Sequence, residues 1–140
     1  MRIVKWTDDL ALGVEQIDAD HAKLLKIVQE IDAMLTAALP SRNFHDRIVR
    51  LFRFADEHFS REDTLMDRLP PAKYREHIDA HRRMHIAFLS RIAGISNRSS
   101  TGDDFREPAT SAQALFTDLL VEMVETDRVM IEHLTAEGAI

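Results

Sequence analysis

Apolar residues recur with a helical period, and breakers separate the stretches that carry it. Over 18–38, Leu24, Val28, Ile31 and Leu35 fall on one face, the spacing of an amphipathic helix. Pro40-Ser41 ends this stretch and offers a cap for the next. Over 42–68, Phe44, Ile48, Leu51, Ala55, His58, Glu62 and Leu65 share a stripe, and Pro70-Pro71 breaks the chain again. Over 72–93 the stripe is Tyr74, His77, His81, Met84 and Phe88; over 109–136 it is Leu115, Leu119, Glu122, Thr126 and Met130. Residues 94–108 read as a loop, and residues 1–17, with Trp6 and Gly13, as an extended N-terminal segment. Four amphipathic helices with short connections predict an all-α, antiparallel up-down four-helix bundle, one domain over 1–140.

A stripe that faces a core should be apolar. Here His58 and Glu62 interrupt the second helix, His77 and His81 the third, and Glu122, with Asp127 close by, the fourth. Burying ionised carboxylates without partners is very costly. Several such groups from different helices stabilise one another by sharing a cation. The pairs His58/Glu62 and His77/His81 are i,i+4, so each leaves one helical face a turn apart. His21 opens the first stripe and completes a set drawn from all four helices. Imidazole and carboxylate without sulfur suit iron, with manganese or zinc as less favoured alternatives. His45, near a helix start, His85, one turn beyond His81, and His133, near the chain end, are expected outside the ligand set. The run HIDAH has no Glu between its histidines and is not a metalloprotease signature.

Composition narrows the classes further. The chain has 140 residues, 45% hydrophobic and 30% charged, as expected for one globular domain. It has no cysteine, which excludes disulfide frameworks, thiolate zinc sites and iron–sulfur clusters. A net charge of −6 speaks against nucleic acid as a partner. No apolar run approaches membrane-spanning length and the first residues do not read as a signal peptide, so a cytoplasmic protein is expected. Neither a Gly-rich phosphate loop nor a Gly-x-Ser-x-Gly turn is present.

At the polar positions the chain resembles the hemerythrin family, specifically its single-domain bacterial members. Trp6, Gly13, Ile17, Asp18, His21 and Leu24 are similar to the family's opening pattern, with Asp20 where Gln is usual. His58, Phe59, Glu62, Asp63, Leu65 and Met66 resemble its central motif, and Tyr74, His77 and His81 its third-helix motif. The gapless spacing from Glu62 to His77 favours His77/His81 over His81/His85 as the third-helix pair. In the fourth helix Asp118, Leu119, Glu122, Met123 and Asp127 match the pattern with two departures: Glu122 stands for histidine and Asp118 for tryptophan.

The resemblance implies two non-haem irons joined by an oxo or hydroxo bridge. One would be held by His21 and His58 and keep an open position for dioxygen. The other would be held by His77, His81 and Glu122, with Glu62 and Asp127 bridging the pair. If Glu122 does not ligate, water or His85 would take its place, or that ion would be absent. As a ligand Glu122 adds negative charge and is expected to favour ferric iron. The resemblance implies dioxygen binding, for storage or sensing. The alternatives are a di-iron redox enzyme acting on peroxide, nitric oxide or ferrous iron, and a signalling module with a structural metal. A protein partner and the oligomeric state stay open.

Overall fold

Helices occupy the stretches where the apolar period runs. The computed structural model describes residues 6–36, 42–101 and 106–140. Helix α1 spans Glu15–Thr36, α2 Arg42–Met66 and α3 Pro71–Thr101. The last run divides into α4 (Arg106–Val121), a π turn (Glu122–Thr126) and α5 (Asp127–Ala136). Consecutive helices pack together and α1 closes on α4, which gives an all-α four-helix bundle. The described residues include no strand and no helix long and apolar enough to cross a membrane.

Before α1, Asp8–Leu10 form one 3-10 turn rather than a wholly extended segment. The Asp18 carboxylate accepts hydrogen bonds from the backbone N–H of Leu12 (2.7 Å) and Gly13 (3.2 Å). Gly13 makes the turn at φ 91°, a region that favours glycine. The helix begins ahead of residue 18, and its early Ile17 is fully buried.

The expected loop from Gly94 is not where the sequence reading put it, because α3 continues to Thr101. Tertiary packing overrides the Gly/Ser-rich composition here. Ile92 and Ile95 are buried in the core, and Ser99 is buried beside them. His45 on α2 reaches across, its Nδ1 lying 3.1 Å from both the Ser96 carbonyl oxygen and Ser99 Oγ. The part of the expected loop at residues 102–105 and the expected helix stop at Pro40-Ser41 lie outside the described residues.

The apolar core has two parts. One gathers Leu24, Ile31, Phe44, Ile48, Leu51, Ile92 and Phe116. The other gathers Met66, Leu69, Ile78, Met130 and Leu134. Each fully buried side chain of this kind contributes about 1.5–3 kcal/mol, so both parts hold the helices firmly. Between them along the chain lie His58 and Glu62 on α2, His81 and His85 on α3, and Glu122 and Asp127. The bundle therefore carries a polar layer between two apolar ends.

Candidate metal centre

The polar layer is dry. His21, His58, Glu62, His81, His85, Glu122 and Asp127 are each at most 3% exposed. On α2, the i,i+4 spacing points His58 and Glu62 inward together. On α3, His81 and His85 have the same relation.

The fourth helix needs a different device. Residues five apart on an α-helix point about 140° away from each other, so Glu122 and Asp127 cannot share a face of a regular helix. The π turn removes the conflict. Its i→i+5 bond runs from the Asp127 N–H to the Glu122 carbonyl, and the wider turn brings both carboxylates to the interior.

Two donor groups result, each with its candidate ligand atoms within 4.8 Å of one another. One comprises Glu62, His81, His85, Glu122 and Asp127; the other comprises His21, His58, Glu62 and Asp127. Glu62 and Asp127 belong to both. The Glu62 Oε2 lies 3.3 Å from His58 Nε2, and its Oε1 lies 3.4 Å from His81 Nε2 and 3.0 Å from His85 Nε2. Asp127 Oδ2 lies 2.8 Å from His21 Nε2, and Oδ1 lies 3.1 Å from His81 Nε2. Glu122 Oε1 lies 3.4 Å from both His81 Nε2 and His85 Nε2.

The imidazoles are aimed from outside. His58 donates its Nδ1–H to Asp20 (2.9 Å) and His85 donates its Nδ1–H to Asp63 (3.0 Å). His81 Nδ1 lies 3.4 Å from His77 Nε2. In each ring Nε2 is thereby left facing the layer, the arrangement that outer hydrogen bonds impose on ligating histidines. Phe59 stacks on His85 at 4.1 Å and fixes its plane.

Electrostatics couples the acids and bases of the layer. Burial alone would push the imidazole pKa values down. The carboxylates outweigh it: Asp20 and Glu62 raise His58 to about 9, Asp127, Glu122 and Glu62 raise His81 to about 11, and Asp63, Glu122 and Glu62 raise His85 to about 10. Burial, with repulsion from Glu122 and Glu62, pushes Asp127 up to about 7, while the histidines hold Glu62 well below the usual carboxylate range against its burial. Crowded carboxylates of this kind ionise only with positive charge beside them; in the stripped protein the imidazole protons supply it, and metal ions would supply it in their place. His58 Nε2, Glu62 Oε2, His81 Nε2, Glu122 Oε1 and Asp127 Oδ1 are buried without a well-formed hydrogen bond. Such orphaned atoms require an explanation, and cations among them provide one. The donor set fits a pair of transition-metal ions.

His21, His58, Glu62, His81, Glu122 and Asp127 are brought together; His77 is not. It is half-buried at the edge, in edge-to-face contact with His81 and with His133 at 4.9 Å between ring centres. Burial and the neighbouring His81 and His133 lower its pKa to about 4. His85 occupies the place that spacing had given to the pair's other member. The signal for this was present, since His81 and His85 are themselves i,i+4 and Phe88 follows on the same face. Asp63 stands in the central motif and Asp20 at a position of the opening pattern, but neither motif assigns them, or Arg61, as hydrogen-bond partners of the layer.

Comparison with known proteins gives the family of the chain. The chain is 26% identical over 107 residues to a bacteriohemerythrin of Stenotrophomonas maltophilia, covering 76% of this chain and 67% of that one. It is 25% identical over 130 residues to a bacteriohemerythrin of Clostridium acetobutylicum, covering 91% and 98%. It is 28% identical over 100 residues to one of Pseudomonas aeruginosa, covering 71% of this chain and 61% of that protein. No solved structure matches. Residues 12–137 match the family model described as the hemerythrin HHE cation binding domain, and the chain belongs to the hemerythrin family.

Proposed function

We propose that the polar layer holds two non-haem irons and binds dioxygen, for storage or sensing. The observation that carries this reading is the division of the donors into two groups that share Glu62 and Asp127. The group of His81, His85 and Glu122 offers five residues and the group of His21 and His58 four. The ion with fewer donors is the one with room for an exogenous ligand. Bound ferrous iron would supply the electrons that dioxygen takes up on binding and gives back on release. The protein's part is to hold the donors, keep water out and present an apolar approach. Leu24, Leu25, Val28, Phe116, Leu119 and Met123 line an apolar cavity of about 20 Å³. Leu24 and Leu25 lie one turn beyond His21 on α1, and a void of this size accepts one small molecule.

A second reading, redox turnover of peroxide or nitric oxide, has its own observation. A wider pocket of about 320 Å³, lined by Met84, Phe88, Val121 and Thr126, reaches Glu122. A larger reactant or reductant would approach the five-residue group there. Protein loaded anaerobically with ferrous iron and cycled between oxygen and argon distinguishes the two. Reversible absorption changes over many cycles support dioxygen binding. An irreversible first change, with sustained consumption of peroxide or nitric oxide in the presence of a reductant, supports turnover.

A further inference from the structure

The two carboxylates that receive the Nδ1–H groups of His58 and His85 have opposite settings. Asp63, the partner of His85, is 39% exposed, and among the described residues no Lys or Arg pairs with it. Asp20, the partner of His58, is 3% exposed and fully engaged. Arg61 donates from Nε to Asp20 Oδ2 (2.7 Å) and from Nη2 to Oδ1 (2.8 Å), a bidentate clamp, and Gln16 Nε2 adds a third donor at 3.0 Å. Arg61 lies three residues after His58 on α2, so one turn of helix presents both the imidazole and the guanidinium to the same α1 carboxylate. Its guanidinium carbon also sits 5.9 Å from the centre of the Phe54 ring.

A carboxylate on the outer nitrogen raises the basicity of a ligating imidazole. A guanidinium on that same carboxylate draws its charge away and opposes the effect. We propose that Asp20 and Arg61 act as a coupled pair of positioning residues on His58, Asp20 strengthening it as a metal donor and Arg61 limiting that strength. The exposed Asp63 gives His85 no such limit. This inference rests on the reading that His58 ligates metal. The outer partners, and not only the extra carboxylate Glu122, then make the two metal positions unequal.

Zinc titration in competition with a chelator tests the pair, because zinc is redox-inert and its affinity reports donor strength directly. Asp20→Asn keeps the shape and an acceptor for the Nδ1–H but removes the charge; its affinity should fall about 10-fold or more at one of two sites. Arg61→Gln releases the Asp20 charge and removes a cation beside the layer; its affinity should rise. Arg61→Lys keeps the charge and should stay near the parent value. Thermal unfolding of each stripped variant confirms that it folds. If both Asp20→Asn and Arg61→Gln weaken zinc while the parent binds two ions, Arg61 is only a scaffold and the proposal is overturned. A parent protein that takes up no zinc overturns the metal reading itself.

Discussion

Replacing Glu62 by Gln probes the layer at the residue on which most of it converges. Glu62 is fully buried, and three imidazole Nε2 atoms lie 3.0–3.4 Å from its oxygens. In protein stripped of metal it supplies counter-charge to His58, His81 and His85, all held protonated at neutral pH. Removing one partner of a buried charge cluster costs roughly 3–5 kcal/mol. Gln keeps one acceptor and the histidines can shed protons, so the lower figure, about 3 kcal/mol, applies. For a chain of this length each kcal/mol moves the unfolding midpoint by roughly 3–4 °C, and a fall of about 10 °C follows. Metal binding suffers separately: one donor group drops from five residues to four and the other from four to three. Calorimetry of the stripped variant, and metal counting after anaerobic loading, should show a midpoint lowered by about that amount and fewer than two ions per chain. A Glu62→Gln protein that unfolds within a degree or two of the parent and still binds two ions would refute the reasoning.

Three other outcomes are expected. His85→Ala should lose one of two bound ions, whereas His77→Ala should keep both, as metal counting would show. If the layer holds iron and binds dioxygen as proposed, Glu122→His would replace an anionic donor by a neutral one, and the oxygen-loaded protein should autoxidise roughly tenfold more slowly, a barrier change of about 1.4 kcal/mol, followed by its absorption decay. The stripped protein should have its stability maximum on the acid side of neutrality. The raised pKa values of His58, His81 and His85 contribute stability fully below the ordinary histidine value of 6.5 and lose it as pH rises towards 9–11. The lowered values of Glu62 and Glu122 contribute above 4.5 and lose it as pH falls. A calorimetric pH series should peak between these limits, and bound zinc, by displacing the histidine protons, should move the peak upward.

The bundle was legible because its stripes are long and regular, and the polar interruptions at His58, Glu62, His81 and Glu122 mark the layer in the sequence itself. The remainder was set by features that spacing does not carry. Asp127 lies off the 3.6-residue stripe through Glu122 and Met130, and only the π turn over 122–126 brings it inward. Two overlapping i,i+4 pairs, His77/His81 and His81/His85, are equivalent on a helical wheel. Their depth in the bundle separates them, with His85 at 2% exposure beside Phe59 and His77 at the edge beside His133. The Gly/Ser-rich stretch after Gly94 is helical because Ile95 and Ser99 pack inward and His45 meets the latter, contacts made across some fifty residues of chain. Asp20 and Asp63 become partners of histidines 38 and 22 residues away, a relation no local pattern announces.

Anomalous diffraction at the iron edge, on crystals loaded anaerobically with ferrous iron, tests the central claim most directly. Two peaks are predicted inside the bundle, one between His21 and His58 and one among His81, His85 and Glu122, with Glu62 and Asp127 touching both and His77 touching neither. A single peak, no peak, or iron bound through His77 in place of His85 would contradict the account.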